Sequence, residues 1–114
     1  MIEPGEIYLA ETEAGKRPAV ILSHGGLNRG RWVVVVPITS AHFAVRSTLP
    51  HCVPFRAGEF GLTKGCVAQT EAITSMAISD LDIEAGMLGI LDEVRTRDLI
   101  KAVGSMMGSD REPG

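Results

Sequence analysis

The sequence predicts an α+β fold in which about six β-strands form a small β-barrel and one helix follows at the C-terminus. Short segments rich in Val, Ile and Leu alternate with turns that contain Gly and Pro, as in a small antiparallel sheet. One segment holds four consecutive valines, and apolar residues adopt helical spacing only near the end of the chain. A length of 114 residues suits one hydrophobic core. We therefore expect a single domain over residues 1–114, with a flexible tail at 109–114.

The first half of the chain is expected to supply three strands. The expected segments are a strand at 6–11, a loop at 12–16, a strand at 17–23, a loop at 24–30 and a strand at 32–39. The third strand is the strongest, because the branched side chains of its valines pack well on a pleated sheet. Its unbroken apolar run predicts burial on both faces, with Trp32 in the core. Pro37 marks the point where regular pairing is disturbed.

The second half of the chain is expected to complete the barrel and then form the helix. The expected segments are an irregular stretch at 40–46, a weaker strand at 49–55, a loop at 58–65, a strand at 66–73 and a short strand at 83–90. From Leu91 to Met107 the apolar residues fall mostly at helical spacing. Asp92 is the expected N-cap of this helix, and Gly108 is its expected stop.

The charge of the chain is unevenly distributed. The formal net charge is -3, but residues 1–64 carry seven basic and five acidic groups, whereas residues 65–114 carry four basic and nine acidic groups. A cleft built from the first half could therefore attract phosphate although the whole protein is acidic. The alternative is that these arginines and lysines are ordinary solvated surface groups.

Cysteine usage and the N-terminus indicate a cytoplasmic protein. Cys52 and Cys66 form no CxxC pair and have no histidines at zinc-ligand spacing, so the sequence predicts no metal site and no cofactor. The chain begins without a basic, apolar signal segment, and its longest apolar run is far too short to span a membrane.

Several short motifs occur in a fixed order along the chain. They are Gly5-Glu6-Ile7-Tyr8, the strand Lys16 to Ser23 with Arg17-Pro18-Ala19, Asn28, the strand Val33 to Ser40 with Pro37-Ile38-Thr39-Ser40, Gly61-Leu62-Thr63-Lys64, and the strand Cys66 to Ile73 with Glu71. Together these motifs resemble the MazF/PemK toxins of type II toxin–antitoxin systems, and the resemblance covers residues 4 to 107. It implies an SH3-like barrel with a C-terminal helix, as in MazF and CcdB, and a homodimer with a cognate MazE-like antitoxin.

The resemblance also implies a metal-independent endoribonuclease that acts on single-stranded RNA. In this chemistry the 2′-hydroxyl attacks the phosphorus, and the products carry a cyclic phosphate and a 5′-hydroxyl. Arg17 would stabilise the phosphorane, Thr39 would bind a phosphate oxygen, and Glu71 would act as the base. Three structural alternatives stand beside these roles: an ion pair of Arg17 with Glu11 or Glu13, a Thr39 that caps its own strand, and a solvated Glu71.

Further residues are expected to bind the RNA. They are Lys16, His24, Asn28, Arg29, Ser40, His42 and Arg46. Either His24 or His42 could also supply an acid or base, because imidazole titrates near neutral pH. Gln69 stands where one branch of the family has a second catalytic Arg. Gln69, with Ala72, leaves a catalytically degenerate paralogue that only binds antitoxins as one alternative function, and the fold shared with CcdB leaves a CcdB-like gyrase poison as another.

Overall fold

The computed structural model describes residues 1–110, and within them seven strands and two α-helices follow one another along the chain. The strands are β1 (Glu6–Thr12), β2 (Gly15–Ile21), β3 (Trp32–Thr39), β4 (Cys52–Phe55), β5 (Cys66–Gln69), β6 (Thr74–Ala77) and β7 (Gly89–Ile90). The helices are α1 (Phe43–Arg46) and α2 (Glu93–Met106), and short 3-10 turns occur at Leu27–Arg29, Glu59–Gly61, Thr70–Ala72 and Ile78–Asp80. Of the predicted flexible tail, residues 111–114 lie outside the described part of the chain. No helix within residues 1–110 is long and apolar enough to cross a membrane.

All strand pairs are antiparallel, and they form a curled sheet in the order β4-β5-β3-β2-β1-β7. β6 lies off this path and pairs with β3. One edge of β3 pairs with β2, and the other edge is shared by two strands. β6 covers that edge from Trp32 to Val35, and β5 covers it at Ile38 and Thr39. The change of partner falls at Val36 and Pro37, so the predicted disturbance at Pro37 is confirmed.

The curled sheet buries side chains on both of its faces. On one face Val36 and Ile38 of β3 pack in a cluster with Leu99 and Ala102 of α2. The other face holds a second cluster, which includes Val33 and Val35 of the same strand. The prediction that β3 is buried on both faces is therefore confirmed over most of its length. The predicted α+β fold, a small β-barrel of about six strands with a C-terminal helix, is confirmed in the form of this curled sheet and α2.

Trp32 is an exception, and its predicted place in the core is wrong. The residue is 60% exposed. The residue starts β3 and pairs with Ala77, the last residue of β6, so it lies at the end of the sheet. The cluster packed against α2 includes Val36 and Ile38 but does not reach Trp32.

Most other differences from the predicted elements occur at turns. The predicted loop at 12–16 is a tight connection of Glu13 and Ala14, because β1 continues to Thr12 and β2 already begins at Gly15. The strand predicted at 66–73 ends at Gln69, where the chain enters a 3-10 turn. The remaining differences are the additional strand β6, the short helix α1 within 40–46, a start of β4 at Cys52, and the reduction of the strand at 83–90 to Gly89–Ile90.

Helix α2 begins and ends where the sequence predicts. The side chain of Asp92 accepts a hydrogen bond from the Arg95 backbone N–H at 2.8 Å, which caps the first turn. Gly108 has a φ of +86°, a conformation that ends a helix and that favours glycine. Both predicted boundaries are therefore confirmed.

Candidate functional site

A groove of about 430 Å³ opens where β2 and β3 diverge. The pairing between these strands ends at Ala19 and Pro37. If this register is continued by two residues, Arg17 lies opposite Thr39, and the side chains of both residues line the groove. The structure therefore brings together the two residues that the sequence analysis placed at the reacting phosphate.

The groove is lined by basic groups on its polar side. Arg17, Lys16 and Lys64 all contribute, and among residues 1–110 no carboxylate and no histidine lines it. Arg17 is exposed and donates a hydrogen bond to the Lys16 carbonyl oxygen at 3.2 Å. Within the same residues it forms no ion pair, so the alternative of a bond to Glu11 or Glu13 is not observed. The Arg17 guanidinium is therefore available to a bound anion.

Lys16 has a carboxylate partner within the protein. Its Nζ lies 2.7 Å from Oδ2 of Asp82, and the other oxygen of Asp82 accepts the Ala85 backbone N–H. The hydrogen bond that Lys16 donates to Asp82 raises the pKa of Lys16, and the same bond lowers the pKa of Asp82. The charge of Lys16 is thus partly compensated, and Arg17 and Lys64 are the less compensated cations of the groove.

Two hydroxyl side chains line the groove beside these cations. Thr39 ends β3 and Ser40 follows it. The Thr39 hydroxyl oxygen accepts a hydrogen bond from the Ala41 backbone N–H at 3.2 Å. This is the strand-end cap that the sequence analysis gave as the alternative role. Because the cap uses a lone pair of the oxygen, the hydroxyl hydrogen remains available for a phosphate oxygen.

Glu71 lies in a different groove. It belongs to the 3-10 turn after β5, and it lines a second groove of about 410 Å³ with His51 and residues 105–108. Its Oε2 lies 3.2 Å from Nε2 of His51, and its Oε1 accepts a hydrogen bond from Gln69 at 2.9 Å. Within the described residues 1–110, none lines both grooves. The structure therefore does not bring Glu71 together with Arg17 and Thr39, because the chain turns before this residue.

Asn28 is buried, although it was expected to bind RNA. It is 6% exposed, and its amide nitrogen donates to the carbonyl oxygens of Ile2 and Ser23, both at 2.8 Å. Its amide oxygen accepts a hydrogen bond from the Ser23 hydroxyl, whose oxygen in turn accepts the Val34 backbone N–H. The side chain is thus fully used inside the protein, and the structure gives it a role in holding the loop 24–30.

The other expected RNA-binding residues lie outside the first groove. His24 and Arg29 are exposed on the loop between β2 and β3, and Nδ1 of His24 accepts the Gly26 backbone N–H. His42 is exposed and directly follows Ala41, which lines the groove. Arg46 ends α1 and does not line the first groove. Its positive charge opposes the rise in the pKa of the Cys52 thiol that burial causes.

Two basic residues of these grooves, Lys64 and His51, were not assigned a role from the sequence. Lys64 lines the first groove, and the Gly61-Leu62-Thr63-Lys64 motif was the available signal for it. His51 had no such signal, because its contact with Glu71 joins two distant parts of the sequence. Next to it, burial raises the pKa of the Cys52 thiol, Glu71 raises it further, and Arg46 acts in the opposite direction.

Comparison with known proteins agrees with the fold. The sequence profile described as "PemK-like, MazF-like toxin of type II toxin-antitoxin system" matches residues 3–107. A mycobacterial endoribonuclease, solved with its cognate antitoxin, has a TM-score of 0.78 at 24% identity, over 99% of this chain and 100% of that chain. The Mycobacterium tuberculosis toxin MazF-mt6 has a TM-score of 0.77 at 23% identity, over 90% of this chain and 96% of its own.

A more distant relative extends the same likeness. A chain of the MazE-MazF structure from Deinococcus radiodurans has a TM-score of 0.70 at 20% identity, with 94% of this chain and 95% of that chain covered. No curated protein sequence matches the chain with significance. At these identities the solved structures establish the fold, and the profile match over nearly the whole sequence establishes the family. The chain belongs to the PemK-like, MazF-like toxins of type II toxin–antitoxin systems.

Proposed function

We propose that this protein is an endoribonuclease toxin that cleaves single-stranded RNA in the Arg17 groove without a metal ion. The observation that carries the proposal is the meeting of an uncompensated guanidinium, Arg17, and a strand-end hydroxyl, Thr39, in one basic groove. Endoribonuclease activity is the expectation for the family. Arg17 lies on β2 and Thr39 on β3, so regular strands hold both groups, and catalytic groups need to be held by rigid elements.

The groove residues suit stabilisation of the charge that develops during transesterification. As the 2′-oxygen bonds to phosphorus, negative charge grows on the non-bridging oxygens of the phosphorane. Arg17 can donate two parallel hydrogen bonds to these oxygens, Lys64 supplies a second positive charge, and the Thr39 hydroxyl donates a third contact. Electrostatic stabilisation of this kind is usually the largest contribution to catalysis.

Proton transfer completes the reaction. The 2′-hydroxyl loses its proton as the P–O2′ bond forms, and the 5′-oxygen gains one as the P–O5′ bond breaks, which leaves a 2′,3′-cyclic phosphate and a 5′-hydroxyl. Arg17 is a poor base because guanidinium stays protonated. Of the two predicted histidines, His42 directly follows a residue of the groove and is the better candidate for proton transfer. Glu71 has no place in this scheme, because it lies in the other groove.

We further propose that the toxin is a homodimer inhibited by a MazE-like antitoxin. A basic groove of this kind is complementary to an acidic, extended antitoxin segment, which would compete with RNA for Arg17 and Lys64. Two of the similar structures are complexes of a toxin with its antitoxin, which supports the same type of partner for this chain.

Arg17→Ala tests the proposal. Purified protein would be incubated with a mixed-sequence RNA in EDTA, and the cleaved ends would be mapped. Wild-type protein should produce cyclic phosphate and 5′-hydroxyl ends, and Arg17→Ala should cleave roughly 100- to 1000-fold more slowly, the loss typical for one transition-state donor. Its unfolding midpoint should stay close to that of the wild type, because Arg17 is exposed.

Arg97→Ala is the matched control. Arg97 is also exposed but lies on α2, where it pairs with Glu93, so the Arg97→Ala variant should cleave at the wild-type rate. Intact RNA together with tight antitoxin binding would instead identify a degenerate paralogue, and trapping of gyrase would identify a CcdB-like poison. An Arg17→Ala variant that cleaves as fast as Arg97→Ala would overturn the assignment of the groove.

A further inference from the structure

A cluster of three potential metal ligands lies at the second groove, away from Arg17. His51 directly precedes β4, Cys52 begins it, and Glu71 follows β5. The strands bring these residues together because Cys52 pairs with Gln69, which is two residues before Glu71. A ring nitrogen of His51, Sγ of Cys52 and a carboxylate oxygen of Glu71 all lie within 4.8 Å of one another.

We propose that this cluster binds a divalent transition-metal ion, with Zn²⁺ as the preferred ion. Imidazole nitrogen, thiolate sulfur and carboxylate oxygen are the three kinds of ligand that Zn²⁺ takes in proteins, whereas Mg²⁺ and Ca²⁺ require oxygen ligands. Because the set includes one soft sulfur and one imidazole, it disfavours the hard cations. Binding would release the thiol proton of Cys52 to solvent, so that the sulfur coordinates as thiolate.

The spacing of the ligand atoms is close to what a zinc ion needs. Ligands at normal Zn–N, Zn–O and Zn–S distances around a tetrahedral ion lie about 3.4 to 3.6 Å from one another. Nε2 of His51 and Oε2 of Glu71 are already 3.2 Å apart. Since every ligand pair lies within 4.8 Å, the sulfur has to approach each of the other two atoms by at most about 1.2 Å.

Neighbouring residues already hold two of the ligands in place. The carbonyl oxygen of His51 accepts hydrogen bonds from the Thr70 hydroxyl at 2.6 Å and from the Thr70 backbone N–H at 3.2 Å. Oε1 of Glu71 accepts a hydrogen bond from the Gln69 side chain, and Oε2 faces His51. The Thr70 bonds fix the backbone of His51, and the Gln69 bond is an outer contact of the kind that orients a ligand and strengthens metal binding.

The site has three protein ligands and an open side. His51 and Glu71 are partly exposed in the groove that residues 105–108 border, so water or another small ligand can occupy a fourth position there. The ion would link the start of β4 to the turn after β5, and its binding would stabilise the folded state by mass action. The site lies apart from the proposed RNA groove, so EDTA would empty it without stopping cleavage.

Cobalt titration of the full-length, untagged and reduced protein tests the proposal. Cobalt bound through a thiolate gives an intense near-ultraviolet absorption band, and its visible bands report the coordination geometry. We expect Co²⁺ to produce the thiolate band at one equivalent per chain, Zn²⁺ to displace it, and Zn²⁺ to raise the melting temperature. Mg²⁺ should do neither.

Variants distinguish this site from adventitious binding. His51→Gln and Glu71→Gln alter partly exposed side chains and should weaken Zn²⁺ binding by at least about tenfold, since loss of even an outer-shell partner has that effect. Cys52→Ala should remove the thiolate band. Cys66→Ala, which removes the other buried thiol, is the matched control and should keep both properties. Circular dichroism spectra would verify that each variant is folded.

The opposite results would overturn the metal site. These are the absence of a thiolate band in the wild type, a band that survives in Cys52→Ala, or equal Zn²⁺ affinity in the wild type and in folded His51→Gln. Because the readouts are absorption and melting temperature, the outcome does not depend on whether the protein cleaves RNA.

Discussion

Replacement of Asn28 by alanine distinguishes a structural role of this residue from an RNA-binding role. The substitution removes three hydrogen bonds of the amide group, which involve Ile2 and Ser23. It also leaves the buried Ser23 carbonyl without the amide donor. At about 1 kcal/mol for each lost bond, the expected loss is about 3 kcal/mol in the free energy of unfolding. This is a large part of the roughly 5–15 kcal/mol typical of small domains.

Urea denaturation, thermal denaturation and RNA cleavage would be measured on the same preparations of Asn28→Ala. A loss of about 3 kcal/mol lowers the melting temperature by roughly 12 to 15 °C in a domain of about this size. At a temperature where the variant remains folded, cleavage should continue at a rate close to that of the wild type. Arg29→Ala is the matched control for stability, because Arg29 is exposed on the same 3-10 turn and should unfold within about 0.5 kcal/mol of the wild type. Unchanged stability of Asn28→Ala with lost RNA binding would refute the structural role.

Two further predictions concern an ion pair and a close backbone approach. Because the pKa of Asp82 is lowered in the folded state, its contribution to stability is present above about pH 4 and is lost as the pH falls through the folded pKa. Asp82→Asn should therefore lower the urea midpoint by more at pH 7 than in acid, where the Asp82 carboxyl is itself neutral, whereas an equal drop in both conditions would contradict the linkage. Gly61→Ala should destabilise the protein by about 3 kcal/mol or more, because its φ is +77° and an added Cβ would collide with the Leu88 carbonyl oxygen. Gly58 has a similar φ of +92°, but an added Cβ there would meet open space, so thermal denaturation of Gly58→Ala should show a cost of only about 1 kcal/mol. Equal losses of stability in the two variants would show that the collision at Gly61 is relieved elsewhere.

The sequence predicts the strands with strong local patterns and misses those that depend on distant contacts. The valine run fixes β3 because branched residues favour a pleated sheet and its length excludes a helix. Thr74–Ala77 has no comparable pattern and is largely exposed, and it becomes a strand only because β3 offers an unpaired edge there. The strand predicted at 66–73 ends early because buried Thr70 bonds to the His51 carbonyl, a contact that no local pattern reveals.

The same distinction applies to the proposed site. Arg17 and Thr39 lie near the facing ends of two consecutive antiparallel strands, so short-range reasoning could place them together. The position of Glu71 depends on the turn that precedes it, and the burial of Asn28 depends on the distant carbonyl of Ile2. Lys64 lies on the loop that precedes β5, and the resemblance included its Gly61-Leu62-Thr63-Lys64 motif without giving the residue a role.

The shared edge of β3 also bears on how the protein resists aggregation. Its valine run combines high β-propensity with an absence of charge, the composition that readily joins strands of other molecules. The Val34 carbonyl oxygen accepts a hydrogen bond from the Leu22 backbone N–H, so the backbone groups of Val34 point toward the β2 side. Successive residues of a strand point their backbone groups to opposite edges, and Pro37 is three residues further on. The ring nitrogen of Pro37 therefore points to the other edge, into the gap between β5 and β6. Because proline has no N–H to offer, that gap leaves no free donor for an intruding chain. The vulnerable part is then the stretch covered by β6, and local opening of this exposed four-residue strand would be the first step toward fibrils or swapped oligomers.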